Sequence, residues 1–151
     1  MKVVLQRVKS GSVEVNNKII SQIDDGLVLL WGVKKGDTHQ DADTLINKIV
    51  NLRIFSDEFN KMNKSVQDVN GDILLVSQFT LLADSSKGNR PSFINAEEPQ
   101  KAAHILSYVA KELSKYVNVK EGIFGADMTV SIINDGPVTI TLQTEHGILL
   151  D

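Results

Sequence analysis

The sequence predicts an α+β fold: a mostly antiparallel, barrel-like β-sheet with two main α-helices packed on it. Three observations carry this. Apolar residues in the first third alternate along runs separated by tight-turn signals. Two later stretches place their apolar residues at helical spacing instead. The elements follow the order strands, helix, strand, helix, strands, without internal repeats, low-complexity tracts or linkers. With 151 residues, the chain has the length of one domain, so residues 1–151 are read as a single unit. A domain of that size buries about 68–70% of its unfolded surface, enough for a hydrophobic core.

Each element has a local reason. Val3, Leu5 and Val8 open an alternating stretch, and residues 12–15 form another. Asn16 and Asn17 signal a turn before residues 18–23. Asp24, Asp25 and Gly26 signal a second turn. Residues 27–33 (LVLLWGV) then read as a strand buried on both faces. Three strands joined by tight turns predict an antiparallel meander. Asp37 or Thr38 can cap a helix over about 38–52, on which Ala42, Leu45, Ile46, Ile49 and Val50 share one face. Residues 56–70 read as loop with short strand pieces, and 72–82 (DILLVSQFTLL) as a strand. A polar loop over 83–98 follows. Pro99 suits the first turn of a helix, where its missing N–H costs nothing. Ala103, Leu106, Val109, Ala110 and Leu113 continue that helix to about Tyr116. Strands at 128–133 and 138–144 flank a break at 134–137 (NDGP).

Composition excludes several functions. Apolar residues make up 42% and charged residues 23%, which is globular rather than disordered. Sixteen Lys and Arg against nineteen Asp and Glu give a formal charge of -3, against a generic nucleic-acid binder. The absence of cysteine excludes disulfides, thiolate zinc sites and cysteine nucleophiles. His39, His104 and His146 show no short metal-ligand spacing, and neither metal nor cofactor is expected. The longest apolar run, 26–33, is too short to cross a bilayer, and the first residues lack a signal peptide's apolar core. A cytoplasmic protein without membrane contact is expected.

Four stretches hold residues suited to chemistry. Ser77, Gln78 and Thr80 interrupt an apolar strand, and Ser77 or Thr80 can be a nucleophile only with a base, which no neighbouring residue supplies. A half-buried strand whose Ser, Gln and Thr point outward or satisfy each other is the commoner source of such a pattern. Residues 134–139 (NDGPVT) make a good turn, and sequence alone gives no ground for a cis bond before Pro137. Lys87 and Arg90, in the loop GNRPSF and its approach, can meet a phosphate backbone or simply solvate the loop. Arg7, one of three arginines, sits in an apolar strand. Its guanidinium needs acceptors there, either a carboxylate or backbone carbonyls, and the sequence leaves both open.

SQFTL at 77–81, GNRPSF at 88–93 and NDGPVT at 134–139 together resemble the D-aminoacyl-tRNA deacylase family. The likeness extends to LQRV at 5–8, RIFSD at 53–57 with KMN at 61–63, and FGADM at 124–128, so it covers essentially the whole chain. Trp31 and the tail 145–151 depart from the usual pattern without touching a motif. The resemblance implies a homodimeric carboxylic ester hydrolase that releases D-amino acids, and mischarged glycine, from the 3′ end of tRNA. It implies that Gly136 and Pro137 form a cis pair inserted into the partner's site, where their carbonyls exclude an L side chain. Ser77, Gln78, Phe79 and Thr80 are then the catalytic wall. Backbone N–H groups near Phe79 and Thr80 and the tRNA 2′-hydroxyl assist, and Arg7 locks the Gly-Pro pair. Lys87 and Arg90 become candidate tRNA contacts. The partners implied are the aminoacyl-tRNA 3′ end and a second copy, with no DNA expected. Two alternatives stand beside this reading: a small-ester hydrolase using Thr80 as nucleophile, and a non-catalytic dimeric module that holds tRNA ends.

Overall fold

The computed structural model describes residues 1–150. Its central strand is β1 (Lys2–Val15), one unbroken strand in place of the two stretches expected. The first half of β1 pairs antiparallel with β3 (Gly26–Gly32), from Lys2 opposite Gly32 to Val8 opposite Gly26. Its second half pairs with β2 (Lys18–Ile23), from Gly11 opposite Ile23 to Val15 opposite Lys18. The expected meander is therefore corrected: β2 and β3 share a single partner strand. Asn16 and Asn17 both take positive φ (51° and 61°), the conformation of a two-residue hairpin turn.

Along the other edge of β1 runs β8 (Thr129–Glu145), which pairs with it from Lys2 to Glu14. Beyond β3 lie β6 (Asp72–Ser77) and β7 (Val119–Glu121), each parallel to its neighbour. The last strand, β9 (Ile148–Leu150), pairs with β8. The sheet order is β7-β6-β3-β1-β8-β9, with β2 attached to β1. The sheet is thus mostly antiparallel with a parallel flank. Parallel neighbours need crossovers, and the two helices supply them. α1 (His39–Asn51) joins β3 to β6, and α2 (Pro99–Leu113) joins β6 to β7.

Both helices cover one face of the sheet. Leu5, Leu27, Leu29, Ile73 and Leu75 meet Leu45, Ile49, Leu106 and Val109 there, all buried. On α2 the buried positions include Ala102 and Ile105 rather than Ala103, a small rotation of the expected stripe. The opposite face holds a second apolar cluster, Val8, Val13, Ile23, Val28, Leu74 and Val76. It is enclosed because the far halves of β1 and β8 curl over the sheet and bring β2 back toward β7. Ser21 Oγ of β2 donates to the Glu121 carbonyl of β7, which draws that side into a barrel-like form. Gly11 permits the curl, since a Cβ there would lie 2.8 Å from Val28 Cγ2.

Asp37 does not cap α1. Its carboxylate instead accepts the Lys34 N–H at 2.6 Å and pairs with the Met1 ammonium at 2.8 Å. Burial outweighs those donors and pushes the Asp37 carboxyl up. Thr38 occupies the cap position, but its backbone N–H donates to the Asp41 carboxylate at 3.0 Å. The tail forms part of the fold through the same carboxylate. Gly147 N–H donates to Asp41 Oδ1 at 2.8 Å, and Thr44 Oγ1 donates to the Gly147 carbonyl at 2.7 Å. Burial alone would raise the Asp41 carboxyl, but the N–H groups of Thr38 and Gly147 hold it below the usual carboxylate range.

The segment after α1 makes a small hairpin of β4 (Phe55–Ser56) and β5 (Met62–Lys64). Asp57 organises its tip by accepting from Phe59 N–H at 2.8 Å, Lys61 N–H at 2.9 Å and Asn63 Nδ2 at 2.7 Å. The RIFSD and KMN stretches are thereby tied to each other.

Candidate active site

The strand expected over 72–82 ends at Ser77, and the next residues turn. Gln78 N–H still donates to the Trp31 carbonyl at 2.9 Å, continuing the ladder by one bond. The chain then coils into a 3-10 turn, Phe79–Leu82. It does so over Gly32, where a Cβ would lie 2.5 Å from Leu82 Cδ2 and 2.9 Å from the Gln78 carbonyl oxygen. Only glycine leaves room for this crossing. The opening N–H groups of a 3-10 turn have no partner within it. Those of Phe79 and Thr80 make no hydrogen bond to another described residue.

This turn borders a cleft of about 630 Å³ at the carboxyl ends of the parallel strands β3 and β6. Open sheets leave ligand crevices at that end of their parallel strands. Ser77, Gln78 and Phe79 line it. Phe93 stands edge-on to Phe79 with ring centroids 5.1 Å apart, so the GNRPSF loop meets the SQFTL turn here. Phe124, Gly125, Ala126 and Met128 bring in the FGADM stretch, and Pro99, Ala102 and Leu106 the start of α2. Trp31 packs at the same place, fully buried, and its indole N–H finds no acceptor among the described residues.

Thr80 lies one residue beyond the lining. Its Oγ1 accepts from Gln78 Nε2, and its side chain is exposed. None of the three histidines lines the cleft. His39 and His104 stack with centroids 6.1 Å apart on α1 and α2, and His146 sits in the turn before β9. Glu97 does line it, with its side chain 7% exposed. Its carboxylate accepts from Glu98 N–H at 3.0 Å and Gly36 N–H at 3.3 Å, and pairs with Lys101 at 3.0 Å. The Glu98 N–H first, then the other donors, keep that carboxyl below its ordinary range against the effect of burial. Glu97 thereby pins the chain near Gly36 to the start of α2.

Gly136 and Pro137 do not line this cleft. In the β1–β8 ladder Gln6 faces Thr139 and Val8 faces Asn134, so residues 135–138 bulge out opposite Arg7 alone. The expected break thus becomes a bulge inside one long strand. The Gly136-Pro137 bond is cis, and both residues are exposed. Arg7, buried beneath them, meets both kinds of acceptor that the sequence leaves open. Its Nε donates to the Asp135 carbonyl at 3.1 Å and lies 3.4 Å from the Asp135 carboxylate. Its Nη1 donates to the Ile54 carbonyl at 2.6 Å. A Cβ at Gly136, whose φ is +124°, would lie 2.9 Å from Arg7 Nη2. Lys87 and Arg90 are exposed on the loop before Phe93 and do not line the cleft.

The site therefore joins three sequence stretches at one cleft and leaves NDGPVT projecting elsewhere. Lys35 and residues 96–98 also line the cleft, and no periodicity or motif in the sequence marks them; Pro99, legible only as a helix start, lines it too. No helix among the described residues is long and apolar enough to cross a membrane.

A mixed sheet with a crevice at its parallel strand ends, walled by aromatic rings and bordered by free backbone donors, defines an α+β protein with an enzyme-like cleft. The model of the D-Tyr-tRNA(Tyr) deacylase family matches residues 4–143, and the chain belongs to that family. It is accordingly a D-aminoacyl-tRNA deacylase, a hydrolase of a family that acts on aminoacyl-tRNA in translation proofreading. A solved structure described as a c-Myc DNA unwinding element binding protein is 42% identical, with a TM-score of 0.91 over 96% of this chain and 99% of the other. Another, described as a probable eukaryotic D-amino acid tRNA deacylase, is 17% identical. It shares the fold, with a TM-score of 0.79 over 93% of this chain and 97% of that one.

Proposed function

We propose that the cleft removes D-amino acids, and glycine, from the 3′ end of tRNA and is completed by the Gly136 and Pro137 of a second copy. The observation that carries this reading is the exposed bulge at residues 135–138, held from beneath by Arg7 yet absent from its own chain's cleft. A rigid pair of carbonyls presented to the outside suits insertion into a partner. Placed over the ester, those carbonyls crowd the position of an L side chain. A D side chain points elsewhere, and glycine has none.

In this reading, water adds to the ester carbonyl and the bond to the ribose oxygen breaks. That oxygen leaves with a proton as the tRNA hydroxyl, and the free amino acid departs. The N–H groups of Phe79 and Thr80 face the oxyanion that develops. Donors of this kind contribute about 2.7–4 kcal/mol each in other oxyanion holes. The neighbouring 2′-hydroxyl of the ribose assists the proton movement, so no side-chain base is needed. The Thr80 hydroxyl is exposed beside a cleft that no histidine lines, which favours a supporting rather than nucleophilic role. Lys87 and Arg90 take part as loop contacts to the tRNA, and the enzyme works in the cytoplasm as a homodimer.

The test compares D-Tyr-tRNA and L-Tyr-tRNA as substrates. Turnover of the D form with little of the L form is expected, and equal rates would refute the filter. Mass spectrometry of the quenched reaction should find no acyl group on Thr80. Duplex DNA added as a competitor should leave the deacylation rate unchanged.

A further inference from the structure

Resting on the deacylase reading, we propose that Lys35 is a further substrate-binding residue, holding a backbone phosphate beside the terminal ribose of the tRNA. The chain has sixteen lysines and arginines, and among them Lys35 alone lines the cleft. It is exposed and forms no ion pair with another described residue. Its backbone is nevertheless fixed, because its N–H donates to the Asn95 carbonyl at 2.9 Å. The root of the side chain therefore stands at a defined place on the rim while its four-carbon stem stays free to reach.

Neighbouring charges do not cancel it. Glu97 is occupied by Lys101 and two backbone N–H groups. Lys34, the preceding residue, is engaged by Glu145 and does not line the cleft. Glu98 is the opposing term: it lines the cleft, is exposed, and bears a carboxylate that repels an anion. A compact ammonium suits a phosphate whose position is set by other contacts, here the ester held at Phe79 and Thr80. In a chain of net charge -3, attraction of a polyanion must come from cations placed locally. The phosphate that joins the terminal nucleotide to the rest of the tRNA is separated from the ester by one ribose. A residue on the wall of the same cleft is therefore well placed to meet it.

The experiment compares Lys35→Gln, Lys35→Arg and the unaltered chain on two substrates. One is D-Tyr-tRNA, and the other is D-tyrosyl-adenosine, the same ester without any phosphate. On the tRNA, Lys35→Gln should lower kcat/KM about threefold to tenfold through KM, and Lys35→Arg should retain most of it. The slope of log kcat/KM against log salt should become shallower by about 0.7, the loss of one single-strand phosphate contact. The nucleoside ester should react equally with all three proteins. Glu98→Gln should act in the opposite direction, lowering KM for the tRNA only. Equal losses on both substrates would overturn the proposal and place Lys35 at the ester instead. An unchanged salt slope would overturn it as well. Failure of the unaltered chain to act on D-Tyr-tRNA would sink the deacylase reading and take this proposal with it.

Discussion

The cleft and the bulge are built on opposite principles. The cleft lies where two parallel strands end, and its wall is assembled from segments far apart in sequence. The bulge lies inside an antiparallel ladder, and one buried arginine holds it in shape. The cleft receives and the bulge projects. In the proposed dimer, each copy contributes one rigid feature, and neither feature has to be enclosed by its own fold.

The strongest way to break this contrast is to distort the bulge. Gly136→Ala brings a methyl group to 2.9 Å from Arg7 Nη2, at a φ of +124° that suits only glycine. Turnover of D-Tyr-tRNA should fall about 100-fold, the scale expected when reacting groups are misplaced by an ångström. Circular dichroism should remain that of the folded chain. Arg7→Ala comes next. It leaves the Asp135 and Ile54 carbonyls without their donor and should cost about 2–4 kcal/mol in denaturant unfolding. Activity should fall about tenfold or more in protein that remains folded, as the projection loses its support.

Asp41→Asn sharpens the contrast from a place belonging to neither feature. It weakens the bonds to Thr38 and Gly147 and should cost about 1–2 kcal/mol of stability with little change in kcat/KM. Its pH dependence has a definite sign. The folded chain holds the Asp41 carboxyl below its ordinary range, so the stabilisation is present above about pH 4 and is lost as pH falls through the folded value. Urea titrations should show a flatter acid limb for Asp41→Asn. Asp37, pushed up by burial, contributes the opposite slope, which makes the Asp41 substitution the cleaner measurement. The smallest effect belongs to Thr80→Ala. Under the proposed mechanism, in which backbone donors stabilise the oxyanion, kcat should stay within about threefold, and loss of all turnover in a folded protein would assign the hydroxyl a direct part.

Much of the fold is legible from apolar spacing. The stripe of α1 from Ala42 to Val50 and the buried run of β3 follow directly from residue type. What escapes is long-range. Nothing local says that β1 continues through Gly11, since that glycine matters only for its contact with Val28 across the sheet. Apolar residues over 72–82 read as strand, yet the chain turns after Ser77, across a space that Gly32 of the neighbouring strand leaves open. The tail carries only Ile148, Leu149 and Leu150 as apolar residues, too few to mark β9 without its bonds to Asp41 and Thr44. The site divides in the same way. Arg7 stands out as a charge in an apolar strand, whereas Lys35 looks like any surface lysine until Asn95 and the start of α2 are placed beside it.

Trp31 has a consequence of a different kind. It is the only tryptophan, it is fully shielded from water, and it borders the cleft. The chain therefore carries one optical reporter at the wall of the candidate site. Emission from the native protein should be blue and resistant to aqueous quenchers, and it should move to the red only when the chain unfolds. If the cleft is the proposed site, filling it should change the polarity and packing around that single indole, and substrate binding can then be followed by light without any label.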